Sequence, residues 1–281
     1  MALTHAPILR GAPGGSGWEI GCYTRPWDQF EYRVALDAIA EAGYKCAGLM
    51  THKGKSRVIV TMETTPEEAA AIGEEVRKRG MRTISIWAGD FPFQKSVEAG
   101  IAGLKLVIDN CAAVRCPRLL LGGTGKEQLV QAYYKVVTEC CDYAASKQVG
   151  LSVKPHGGSN ATGAQCRKLI EMVGNKNFGI WYDPGNIFFY SDGKVDPVDD
   201  VPSVNGLIAG MSIKDFKLPK EVAVTPGTGL VNFREVLGRA RKGGFTHGAL
   251  VVECLDPVGD AAKLTVEARK ARQMVEKLTA S

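Results

Sequence analysis

Four stretches of the sequence carry side chains whose types and spacing suit chemistry at a shared pocket. The first is VGLSVKPHGG at residues 149–158, where Val149, Leu151 and Val153 alternate with Gly150, Ser152 and Lys154. That is the period of a strand. Pro155 ends it, and two glycines after His156 make a turn that bulkier residues would resist. Lys154 therefore stands at a strand's C-terminal end, with His156 two residues on. The second stretch, Trp181-Tyr182-Asp183-Pro184-Gly185-Asn186, puts a carboxylate at a strand end and an amide three residues later. The third is Ser212-Ile213-Lys214-Asp215 and the fourth Val251-Val252-Glu253. Carboxylates, ammonium groups and an imidazole in one place can move a proton and stabilise the charge it leaves behind. Each stretch also has a plainer reading: a lysine reaching for solvent beside a surface histidine, or an aspartate capping a helix. Acids ending two strands, with Lys-Asp on the strand between, favour chemistry, since a barrel points them at one pocket.

The elements that must position these side chains alternate along the chain with little interruption. Strands are expected over residues 18–23, 46–50, 82–87, 118–121, 149–153, 178–182, 207–213 and 249–252. Helices are expected over 32–42, 65–79, 97–113, 126–147, 162–173, 233–242 and 260–281, with a short irregular one near 197–204. Thr65-Pro66-Glu67-Glu68 illustrates the start signal, a cap followed by proline and two acids near the positive helix end. Such alternation asks for a parallel sheet covered by helices. Eight strand–helix units in a chain of this size fit a closed (β/α)8 TIM barrel better than an open sheet. An open doubly wound sheet would want a glycine-rich turn after its first strand, and Gly21-Cys22-Tyr23-Thr24-Arg25 is not one. The expectation is a single-domain barrel over residues 18–281 behind a mobile tail over 1–17, which is rich in turn formers.

Composition narrows the partners. The chain has 281 residues, 45% of them apolar, enough for a large core. Its net charge is +5 with acids and bases interspersed, which falls short of a nucleic-acid footprint. No apolar run reaches membrane-spanning length, and the opening lacks the pattern of a signal peptide. The eight cysteines are scattered without a CxxC pair, which suits a reducing, cytoplasmic setting. Gly122-Gly123-Thr124-Gly125-Lys126 looks like part of a phosphate loop. The full pattern fails, because Leu120 and Glu127 occupy places that require Gly and Ser or Thr. Neither nucleic acid nor membrane is an expected partner.

Taken together, Lys154-Pro155-His156-Gly157-Gly158, Asp183-Pro184-Gly185-Asn186, Lys214-Asp215, Pro226-Gly227-Thr228-Gly229 and Val251-Val252-Glu253 resemble the xylose isomerase-like barrels. That family comprises sugar phosphate isomerases and epimerases and includes inosose dehydratases and some endonucleases. The likeness runs from about residue 18 to the end and is strongest over 149–253. It implies one divalent metal, held by Glu, Asp, His and Glu on the fifth to eighth strands in turn. Asp183 and Glu253 match two of these, but Lys154 stands where the first Glu is expected and Ser212 where the His is expected. In the inosose dehydratase-like variant the glutamate follows a His-Pro-His run, and its place here is Thr162. A protonated lysine cannot ligate, and its charge repels a metal.

Two readings of the site follow from the resemblance. In one, Lys154 stands in electrostatically for the ion between Asp183 and Glu253. At about 4 Å and an effective dielectric near 20, each pairing is worth roughly 4 kcal/mol before desolvation. A buried lysine also makes a base or a carbonyl-binding amine, and His156 is expected to titrate near neutrality. In the other, a weak divalent metal (Mn, Mg or Zn) sits on Asp183, Glu253 and His156, with water completing its shell. Either way, the implied activity is proton transfer beside a carbonyl of a small carbohydrate, polyol or sugar phosphate. Glu253 or His156 removes the proton, and Lys154 or a metal stabilises the enediolate. Trp87 offers a flat face to a sugar or plugs the barrel mouth, and Asn186, Lys214 and Asp215 complete the substrate side. The alternatives are a keto-sugar lyase or dehydratase and a non-catalytic sugar-binding barrel. Members of the family often pair, so a homodimer is expected.

Overall fold

Every segment with strand periodicity becomes a parallel strand. The computed structural model, which describes residues 17–280, contains β1 (Trp18–Tyr23), β2 (Cys46–Leu49), β3 (Arg82–Trp87), β4 (Arg118–Leu121), β5 (Gly150–Val153), β6 (Phe178–Tyr182), β7 (Ile208–Ile213) and β8 (Gly248–Val252). They close in sequence order into one barrel. The seam is the β1–β8 pair, which runs from Trp18 opposite Gly248 to Cys22 opposite Val252. Parallel neighbours need a crossover, and helices supply it: α1 (Tyr32–Glu41), α2 (Pro66–Lys78), α3 (Val97–Val114), α4 (Val130–Ser146), α5 (Gly163–Val173), α6 (Pro184–Tyr190), α7 (Pro197–Asp200) and α8 (Phe233–Lys242), with α9 (Ala261–Thr279) following β8. The fold is the expected (β/α)8 TIM barrel. The expected tail over residues 1–17 lies, Gly17 apart, outside the described residues. Among those residues, no helix is long and apolar enough to cross a membrane.

Two elements differ from expectation. The helix expected from Lys126 begins at Val130, after a 3-10 turn over Glu127–Leu129. Thr124 Oγ1 accepts from the Lys126 amide at 3.3 Å, and Lys126 stays extended, so the helix starts late. The stretch after Asp183, which lies outside the expected helices, is the short helix α6. Asp183 caps it, accepting from the Asn186 amide at 2.9 Å, and Pro184 occupies the first turn. Gly185 lets this helix lie against β7's end, since a Cβ there would come within 2.7 Å of the Lys214 carbonyl oxygen.

Alternation along each strand creates two cores. Outward residues such as Ala47, Leu119, Leu151, Val153 and Ile180 pack beneath the helices. Inward residues form a smaller cluster of Tyr23, Cys46, Met50, Ile84, Leu120, Trp181, Ala249 and Val251, with Trp87 half-buried against it. Packing there is tight at Gly210, where an added Cβ would meet the Trp181 ring at 2.2 Å. Two residues further along β5, β6, β7 and β8 the inward positions turn polar: Lys154, Asp183, Lys214 and Glu253. An apolar plug thus carries a charged layer at the strands' C-terminal ends. All eight cysteines are unpaired and buried.

Candidate active site

Lys154 follows β5 without leaving its ladder. Its amide donates to the Leu121 carbonyl at 3.0 Å, so the β4–β5 pairing extends one residue and the side chain stays inward. Gly157 and Gly158 then take left-handed conformations (φ 88° and 57°), which a side chain would resist. This turn brings Asn160 back over the strand ends, where Nδ2 donates to the carbonyls of Lys154 (2.7 Å) and Gly122 (2.9 Å). Glu253 extends β8 similarly, its amide donating to the Ile213 carbonyl at 3.2 Å.

The strand ends bring their charges into contact. Lys154 is 1% exposed, so it does not reach for solvent. Its ammonium donates to Glu253 Oε2 and lies 3.0 Å from Asp183 Oδ2. Asp183 Oδ2 has no partner in hydrogen-bond geometry, so the contact with Lys154 is an ion pair off the bonding axis. Lys214 Nζ donates to Glu253 Oε1 at 3.1 Å and lies 3.9 Å from Asp183 Oδ2. Arg25, in the turn after β1, donates from Nη1 to Glu253 Oε1 at 2.6 Å. Ser212 Oγ donates to Glu253 Oε2 at 2.7 Å and accepts from Trp181 Nε1 at 3.2 Å.

Glu253 is therefore the hub. Burial alone would raise its pKa, but Lys154, Lys214 and Arg25 together hold it well below the usual carboxylate range. Burial likewise pulls Lys214 down, yet Glu253 and Asp183 outweigh it and leave the ammonium more stable than in water. His156 lies beside this cluster, its ring 5.2 Å from that of Trp87 and 5.6 Å from that of Tyr190. Crowding by protein, then the charges of Lys154 and Lys214, push its pKa down to about 4. His156 is itself an exposed residue, which tempers the burial contribution. Both ammonium charges also disfavour a further positive charge on the ring. The expectation that His156 titrates near neutrality is corrected: at pH 7 it is a neutral imidazole.

Two expected substrate contacts are committed elsewhere. Asp215 uses both carboxylate oxygens to fold the Pro226-Gly227-Thr228-Gly229 loop. Oδ1 accepts from the amides of Phe216 (2.8 Å) and Val231 (3.0 Å), Oδ2 from those of Gly227 (2.9 Å) and Gly229 (2.8 Å). Asn186 is buried, with Nδ2 donating to the Pro155 carbonyl at 2.6 Å and Oδ1 accepting from Lys214 at 2.8 Å. It holds Lys214 in place. The Trp87 ring packs over Gly122 and lies 5.9 Å from the Lys154 ammonium, within cation–π range.

The divalent ion implied by the resemblance does not fit this donor set. Strand β5 offers an ammonium, which occupies the space between Asp183 and Glu253 where a cation would be drawn. Strand β7 offers the Ser212 hydroxyl, already bonded to Glu253. Thr162, the other candidate position, is consumed in capping α5. Among the described residues, no three His, Cys, Asp or Glu side chains gather as a metal-holding group, so Asp183, Glu253 and His156 do not form the alternative site.

Sequence reasoning missed Arg25 and the positioning residue Asn160. Arg25 had a signal: it follows β1 much as Lys154 follows β5, and the strand-end rule applies to it equally. Asn160 had none, because only the folded turn brings it over two strand ends.

A family model for the xylose isomerase-like TIM barrel matches residues 36–278. No curated protein matches the chain in sequence. Among solved structures, a xylose isomerase domain protein from Planctomyces limnophilus is 19% identical, with a TM-score of 0.70 over 93% of this chain and 97% of that one. D-psicose 3-epimerase in the presence of D-fructose is 14% identical, with a TM-score of 0.74 over 94% of this chain and 100% of that one. D-psicose 3-epimerase with D-tagatose, from Clostridium cellulolyticum H10, is 11% identical, with a TM-score of 0.72 over 93% of this chain and 99% of that one. At these identities the likeness is one of fold.

Proposed function

Because the chain belongs to the xylose isomerase-like TIM barrel family, we propose that it is a sugar isomerase or epimerase that moves a proton beside a carbonyl. The observation that carries this reading is the pair of buried ammonium groups, Lys154 and Lys214, on Glu253 with a neutral His156 beside them. Two of the structural neighbours are D-psicose 3-epimerases, which supports the reading.

In this scheme His156 is the base. Glu253, the other expected base, is held ionised by three cations and a hydroxyl and has little affinity for a proton. The imidazole takes the proton from the carbon next to the carbonyl, and the C–H electron pair moves toward the carbonyl oxygen. The developing enediolate is stabilised by the nearby positive charges of Lys154 and Lys214, already fixed in place by Asp183 and Glu253. Return of the imidazolium proton to the former carbonyl carbon gives the isomer; the epimer forms when a proton from water reaches the opposite face and the imidazolium gives its own proton back to water. No oxidant or reductant enters. A dehydratase would share the first step and then release water. The saturation of Glu253 by donors also suits a barrel that binds a sugar without chemistry.

Solvent exchange separates these. A panel of ketoses incubated with the protein in deuterated water should return sugars carrying carbon-bound deuterium. His156→Gln should slow that exchange by about 100-fold or more, the usual contribution of a general base. Binding without exchange identifies the silent barrel, and a product lighter by one water identifies the dehydratase.

A further inference from the structure

The charges of the site do not balance. Lys154, Lys214 and Arg25 bring three cations into contact with two carboxylates, Asp183 and Glu253. His156 adds no negative charge, and its protonation would only enlarge the excess.

The excess has a location. Lys154 and Lys214 are closed to solvent and face both carboxylates, whereas the Arg25 side chain is 36% exposed and, of the two carboxylates, pairs with Glu253 alone. Only Nη1 of its guanidinium is engaged; among the described residues, Nε and Nη2 have no hydrogen-bond partner. The backbone beneath it is fixed. Arg25 opens a 3-10 turn with Pro26 at its second position, and Trp27, fully buried, donates its amide to the Thr24 carbonyl at 3.0 Å. The guanidinium is thus anchored at one end on Glu253, and its other donors are left for something else.

We propose that the substrate is anionic, a keto-sugar bearing a carboxylate or a phosphate, and that the unused donors of Arg25 receive that group. The fork of a guanidinium matches both oxyanions in paired hydrogen bonds, so the two share one recognition chemistry. A neutral sugar closing over the site would leave one buried positive charge uncompensated, which is costly where water is excluded. An anionic substrate cancels it. The carbonyl end of this assignment rests on the proton-transfer reading, while the anion end rests on the charge count and Arg25 alone.

Calorimetric titration with fructose, fructose 6-phosphate and 2-keto-gluconate tests the anion end directly. At least one anionic ketose should bind about 10- to 100-fold more tightly than fructose, the range of a charge-assisted pair. A preference for the phosphate ester identifies a sugar phosphate, and a preference for the keto acid identifies a sugar acid. Arg25→Met should erase the advantage, and Arg25→Lys, which keeps the charge on Glu253 without the fork, should retain only part of it. Should Arg25→Met fail to fold, a partial loss in Arg25→Lys carries the test. Fructose binding as tightly as both anions, no binding of either anion, or an advantage untouched by both substitutions overturns the proposal. Deuterium exchange in the same samples keeps the two readings apart. Anion binding without exchange removes only the proton-transfer reading, and exchange confined to fructose, with no anion preference, removes only this one.

Discussion

The ammonium of Lys154 lies 3.0 Å from Asp183 Oδ2, and the two side chains are 2% and 0% exposed. Charges this far from water are expensive, and their attraction repays the cost only when neighbouring donors and acceptors are also satisfied. Glu253, Lys214, Arg25 and Ser212 join Lys154 in one hydrogen-bonded group, while Asp183 Oδ2 rests on its ion pairs alone. The cluster should therefore respond to substitution as a unit.

Removing the central cation exposes that dependence. Lys154→Met leaves Asp183 and Glu253 facing each other with less compensation and should cost about 3–5 kcal/mol of stability. Adding Asp183→Asn should recover part of the loss, because the stranded charge goes too. Urea denaturation of both variants measures this, and a loss under about 1 kcal/mol for Lys154→Met would contradict the buried-pair account.

Rebuilding the family's ligand set should reverse the site's response to metal. Lys154→Glu with Ser212→His supplies the two missing ligands beside Asp183 and Glu253. A ligand that binds only the folded state raises its melting temperature. Manganese or zinc should raise that of the double variant and leave that of the natural protein unchanged. A stoichiometric rise in the natural protein would show that other residues complete a metal site.

The histidine predicts a pH dependence. His156 titrates at about 4 in the folded protein against an ordinary 6.5. Between those values the unfolded chain binds more protons, so stability rises with pH across the window and falls as acid is added. Below it, Glu253 contributes a further loss, since its pKa is depressed by folding and its stabilisation disappears as the carboxylate protonates. His156→Gln should flatten the stability profile between about pH 4 and 6.5 while leaving the steeper acid limb intact. Thermal melts across that range decide it, and parallel profiles would sink the assignment.

Asp215 offers a structural control. Asp215→Asn replaces one acceptor oxygen with a donor facing amides that need acceptors, at a cost of about 1–3 kcal/mol. Hydrogen exchange should quicken at Gly227, Gly229 and Val231, the amides that its side chain holds. Unchanged protection at these amides would place the carboxylate elsewhere.

Much of the fold was written in local pattern. Strand period, helix caps and the spacing of eight units are properties of neighbouring residues, and they suffice to specify a barrel whose strand ends share one face. The same rule brings Lys154, Asp183, Lys214 and Glu253 to one barrel end from the sequence alone. Tertiary structure decided what each of them does there. Asp183 turned out to cap α6 and pair with Lys154 at once, two roles that read as alternatives along the chain. Asp215, one residue beyond Lys214, points its acceptors at a loop up to sixteen residues downstream, a partnership visible only after the loop folds back. The pKa of His156 was not legible either, because burial and the charges of Lys154 and Lys214 depend on packing rather than residue type. Local sequence determines which side chains reach the barrel mouth; their protonation and partners are set by the electrostatics of residues that meet only when the ring closes.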